Sequence, residues 1–114
     1  HHRLFVTCDG YAAIRFRRGA RVYGVVWRVE ARDVAALDRY EGVAEGWYVK
    51  RMVPVRIAGR PVPCLVYDGG TVREGRRPRR TYFNEAVVGS ALAWSLPAGY
   101  IAGLGRFARH GFRG

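Results

Sequence analysis

Lysine is nearly missing from this sequence: of twenty basic residues nineteen are arginine, and Lys50 stands alone. Acids are scarce too. Nine of them leave a formal charge of +11. The two cysteines, Cys8 and Cys64, lie far apart and in no CxxC or Cys/His cluster, so neither a metal site nor a disulfide is expected. No apolar run approaches the ~20 residues that span a bilayer, which excludes a transmembrane helix. The opening His-His-Arg lacks the basic, apolar, small-residue order of a secretory leader. A reduced, cytoplasmic protein with no membrane partner is the expectation. There is no internal repeat.

What is present is one domain's worth of chain. At 114 residues and 49% hydrophobic content it can bury a modest core without staples. The charge leaves two readings open. An Arg-rich domain attracts phosphate, nucleic acid or an acidic small molecule. Alternatively the arginines coat a solvated surface. Arg76, Arg77, Arg79 and Arg80, in a Gly- and Arg-rich loop over 69–80, fit either. No base-reading motif is present, so nucleic acid is not the expected partner.

The patterning predicts an α+β alternation. Residues 3–7 read as a strand, Asp9-Gly10 as a tight turn, and 11–16 as a second strand. The run 21-RVYGVVWRV-29 is nearly continuous apolar and aromatic, as a central strand should be. Residues 32–41 read as a helix stopped by Gly42. Residues 47–57 and 61–68 form a second hairpin, turned at 58–60. Pro54, Pro61 and Pro63 place parts of it at an edge or bulge. A helix is predicted over 82–94, with the apolar stripe Phe83, Val87, Ala91 and Trp94. A short one opens at Pro97. Trp27, Trp47 and Trp94 are expected as core or interface aromatics. The basic, glycine-rich end, 106–114, is expected to fray.

One residue is oddly placed. Val34, Leu37 and Glu41 are spaced i, i+3, i+7, so the predicted helix carries Glu41 toward its apolar side. Glu41 also ends that helix, where the dipole disfavours negative charge. Desolvation and dipole both raise a carboxyl pKa, which suits a general acid/base near neutral pH. The competing reading turns Glu41 outward at a frayed end, paired with an arginine. Asp38, nearby on the same face, pairs either with Glu41 or with an arginine.

The segments 22-VYGVVW-27, 36-ALDRYEGV-43, 46-GWY-48, 65-LVY-67 and 96-LPAGYIAGL-104 resemble, in order and spacing, the γ-glutamylcyclotransferase family. The resemblance runs from about residue 3 to residue 105, and implies a domain over 1–105. It implies a small barrel-like mixed β-sheet with flanking helices. It also implies an enzyme without metal or organic cofactor, which converts a γ-glutamyl amide to 5-oxoproline and a free amine. The family's catalytic glutamate matches Glu41. Its pocket-lining aromatics match Tyr48 and Tyr67, and a third pocket tyrosine aligns with Phe83. The family's first strand carries a Tyr-Gly-Ser-type loop that holds the glutamyl moiety. No such motif occurs here, so the resemblance implies an N-terminally truncated domain, inactive or nearly so by itself. A family-fold protein without catalysis, binding an anionic partner through its arginines, is the other reading.

Overall fold

The computed structural model describes residues 1–113. The chain forms two compact units. One holds His1–Val25 together with the chain from Thr71 onward; the other holds Val26–Gly70.

The first unit opens with the hairpin β1 (His2–Val6) and β2 (Ala12–Phe16), antiparallel with Leu4 opposite Ile14. Its turn forms where Asp9-Gly10 predicts it. Gly10 adopts φ 87°, open to glycine at little cost, and donates its N–H to Thr7 O at 2.9 Å. The chain returns along β1 near Gly75, whose N–H reaches Val6 O at 2.7 Å. The approach is so close that a Cβ at Gly75 would lie 2.4 Å from Thr7 O.

The core of this unit comes from the C-terminal half. Phe83, Ala91 and Leu104 are buried together, with Val87, Val88, Tyr100, Ile101, Phe107 and Phe112 against them. The predicted helix over 82–94 exists in altered form. Tyr82–Gly89 winds as a wide π-type turn, followed by the short α2 (Ser90–Ala93). Widening brings both i+4 and i+5 to one face, so Val87 and Val88 both pack below Phe83. The phase shift also carries Trp94 off the stripe, and it is exposed. Pro97 then caps α3 (Ala98–Gly103), which runs into the 3₁₀ turn Leu104–Ala108.

The end of the chain does not fray over its described part. Phe107 and Phe112 pack on the core, and Arg113 donates its N–H to Pro78 O at 2.9 Å. Two aromatics in a basic stretch outweigh its glycines, because each buries a large apolar surface. Gly114 lies outside the described residues.

The second unit contains α1 (Ala31–Tyr40) and the hairpin β3 (Val49–Ile57) and β4 (Arg60–Asp68). Its loop is two residues, Ala58 (φ 49°) and Gly59 (φ 80°), with Ile57 paired to Arg60. Positive φ at both positions gives the twist that a two-residue hairpin needs. Pro54 stands opposite Pro63, so neither missing N–H interrupts a ladder bond. Cys8 and Cys64 are both free and half-buried.

The expected central strand is absent. Residues 21–30 form no strand, and Val25, Val26, Trp27 and Val29 are exposed. A strand exists only through its ladder, and among the described residues none pairs with this segment. The expected barrel-like mixed sheet therefore does not form. Among the described residues the architecture is α+β with two antiparallel two-stranded sheets, and it is not a closed barrel. Trp27 and Trp47 are likewise exposed rather than core. No helix among the described residues is long and apolar enough to cross a membrane.

Candidate active site

The unit Val26–Gly70 gathers most of the residues singled out from the sequence. Helix α1 starts at Glu30, whose N–H is accepted by the Asp33 carboxylate at 2.9 Å. This is half of a reciprocal cap, and it uses one of the orphan donors of a helix start. Along α1, Val34 and Leu37 are half-buried while Arg39 and Tyr40 are exposed. Glu41 follows on the half-buried side, as the spacing predicts.

The helix end is locked. Gly42 donates its N–H to Arg39 O at 3.2 Å, and Val43 donates to Asp38 O at 3.1 Å. These are the two bonds of a Schellman stop, with Gly42 in the left-handed region at φ 64°. Trp47 folds back and donates its N–H to Gly42 O at 3.0 Å. A Cβ at Gly42 would lie 2.7 Å from the Trp47 ring. Glu41 is thus the cap residue of a fixed helix end, not of a frayed one. No ion pair to Glu41 occurs among the described residues. Burial raises its carboxyl above the ordinary glutamate range.

Beside it stands a polar clasp. Asp38 accepts from Lys50 Nζ at 2.7 Å and from the Tyr67 hydroxyl at 2.6 Å. Lys50 and Tyr67 are direct partners across β3 and β4, so both side chains leave one face of the hairpin and meet one carboxylate. Lys50 first, then Tyr67, hold the Asp38 carboxyl below its usual range. The Tyr67 hydroxyl is pushed up to about 12, by loss of solvent and then by its bond to Asp38, with the Glu41 charge adding to both. At neutral pH Tyr67 is therefore a fixed donor, and Asp38 a carboxylate whose oxygens are both occupied. Of the neighbouring carboxylates Asp38 and Glu41, only Glu41 remains open to new chemistry.

Tyr48 is half-buried, one residue before β3. Phe83 belongs to the other unit, where its ring is 2% exposed within the core. The sequence reading missed Lys50 and gave Asp38 the wrong partner. A signal was there: a two-residue turn at Ala58-Gly59 fixes every pair on the hairpin, and counting back from it sets Lys50 opposite Tyr67.

The clasp makes a measurable prediction. Alkaline absorbance titration of the wild type should contain a tyrosine component at about 12 that Tyr67→Phe removes. Tyr100, also raised by burial, should remain in both profiles. Identical high-pH limbs in the two proteins would show that Tyr67 is not held as described.

Compared with known proteins, the sequence matches the AIG2-like family over residues 21–104. It is 37% identical to the γ-glutamylcyclotransferase of Bos taurus over 60 residues, which cover 52% of this chain and 32% of that protein. The γ-glutamylcyclotransferases of Mus musculus and Homo sapiens are 34% and 36% identical over 61 residues, 51% of this chain and 31% of each relative. The matched stretch thus spans about a third of these relatives. No solved structure matches the chain. A family match across most of the sequence, on both sides of the Glu41 turn, settles descent: the chain belongs to the AIG2-like family, which is γ-glutamylcyclotransferase-like.

Proposed function

We propose that this chain carries the acid/base half of an enzyme that cyclises a γ-glutamyl amide to 5-oxoproline and a free amine. The observation that carries the reading is Glu41: a carboxylate locked at a helix end, half-buried, of raised pKa and without a neutralising partner. The similarity to γ-glutamylcyclotransferases supports the substrate class.

The chemistry needs one such group. Glu41 takes a proton from the substrate's α-ammonium. The freed amine attacks its own γ-carbonyl carbon, a five-membered closure favoured by proximity. The C–N bond forms and the carbonyl oxygen becomes an oxyanion, which preorganised donors stabilise. Collapse breaks the bond to the leaving nitrogen, which takes the proton held by Glu41; the second proton, shed by the ring nitrogen as the lactam forms, follows through the Glu41 carboxylate, so the amine departs as its ammonium. A carboxyl titrating nearer neutrality than usual serves both transfers better than an ordinary one. Tyr48 and Tyr67 are assigned to the pocket wall, where Tyr67 is held in one orientation by Asp38. The Tyr-Gly-Ser-type loop is not among these residues, so in this reading the glutamyl grip must be supplied by further sequence.

The test is 5-oxoproline release from a panel of γ-glutamyl amides. It is run with the 114 residues alone and with the complete encoded protein. Release by the complete protein, weak or absent in the 114 residues, is expected. Silence from a folded complete protein across the panel would sink the assignment.

A further inference from the structure

The unit that lacks Glu41 contains an open cleft of about 700 Å³. Its wall carries Arg3, Arg17, Arg76, Arg106, Arg109 and His110. One acid, Glu74, faces them, and Arg3 occupies both of its oxygens: Nη1 to Oε1 and Nη2 to Oε2, each at 2.9 Å. This fork-to-fork pair removes one positive and the one negative charge from the balance. Arg17, Arg76, Arg106 and Arg109 remain, all exposed, and among the described residues none has an acidic partner. Arg106 is held in place, since its Nη1 donates to Gly103 O at 2.9 Å and its guanidinium lies 4.4 Å from the centre of the Phe107 ring.

Four uncompensated guanidiniums around one concavity repel one another and concentrate anions there. Guanidinium, unlike ammonium, offers paired donors that match the spacing of phosphate oxygens. Three open forks, with the Arg106 charge beside them, can serve two phosphate groups. The volume lies within the ~300–1,000 Å³ typical of small-molecule sites.

We propose that this cleft binds a small molecule bearing two or more phosphate groups. The site is separate from the Glu41 chemistry and does not depend on it. Binding of ATP and of inorganic tripolyphosphate to the 114-residue chain should be measured by titration calorimetry. Both should bind one to one, and inorganic monophosphate more weakly. The double variant Arg17→Gln/Arg109→Gln should lose about tenfold or more in affinity, since each exchange removes a charged hydrogen-bonding group. The variant Arg18→Gln/Arg60→Gln, which removes the same charge from exposed positions off the cleft wall, should bind as the wild type does. ATP tighter than tripolyphosphate assigns a nucleotide; equal affinities assign the phosphate chain itself. Absence of saturable binding overturns the site, as does equal weakening in both double variants. A single-stranded oligonucleotide that binds with a stoichiometry set by its length, and displaces ATP, would replace the proposal with a nucleic-acid surface.

Discussion

Glu41→Gln is expected to reduce 5-oxoproline release by about 10²–10⁴-fold, the usual worth of a positioned acid/base. Glutamine keeps the size and polarity of the side chain and loses only the titrating proton. The same substitution should stabilise the fold near neutral pH. The reason is linkage: a carboxyl whose folded pKa is raised above the ordinary glutamate value of 4.5 favours folding only while protonated. Its contribution is fully present below that value and is lost as pH rises through the raised one. Wild type and variant should therefore differ little in acid. The variant should pull ahead as pH rises, in urea midpoints measured across the range. In the wild type, kcat/KM should rise with pH through the same raised pKa, because the attacking amine needs the carboxylate form. A Glu41 that merely paired with an arginine would give the opposite stability result, since its loss would weaken the fold above its pKa. An active Glu41→Gln protein would end the catalytic reading outright.

The helix end that carries Glu41 was legible because it depends on local rules. The spacing of Val34, Leu37 and Glu41 fixes a helix face, and Gly42 fixes where the helix stops; the Schellman bonds at Gly42 and Val43 follow from those two facts. The turn at Asp9-Gly10 was legible for the same reason; the second turn was legible in place but not in length, expected over 58–60 and formed by Ala58 and Gly59 with Arg60 already in the strand. Residues 21–29 were not. Their composition states what a buried strand contains, but a ladder needs a second chain segment in register, and no local pattern announces one. Phe83 raises a different question. A helical stripe shows which residues point one way, but not whether that side meets a core or a pocket. The wide turn over Tyr82–Gly89 added a phase shift that a regular helical count cannot foresee. No local motif marks Lys50; only the hairpin register, which sets it opposite Tyr67, gives it a place in the site.

The largest stability effect should come from Phe83→Ala. Its ring is 2% exposed and sits against Phe107 and Phe112, with centroids 6.1 and 6.3 Å away. Truncation removes the apolar surface of the ring and leaves a cavity between the wide turn and the chain's last aromatics. Such changes cost about 3–5 kcal/mol, against total stabilities of roughly 5–15 kcal/mol for a domain. The urea midpoint should fall sharply with its slope unchanged, and a leucine at 83 should recover part of the loss. Phe107 and Phe112 reach the same ring from the end of the chain, so shortening the protein before Phe107 should weaken it by a comparable mechanism. The effects of truncation and Phe83→Ala should then be less than additive, because both empty one cluster. A midpoint almost unmoved by Phe83→Ala would mean that this ring is not closed in, and would return position 83 to the substrate pocket where its alignment first put it.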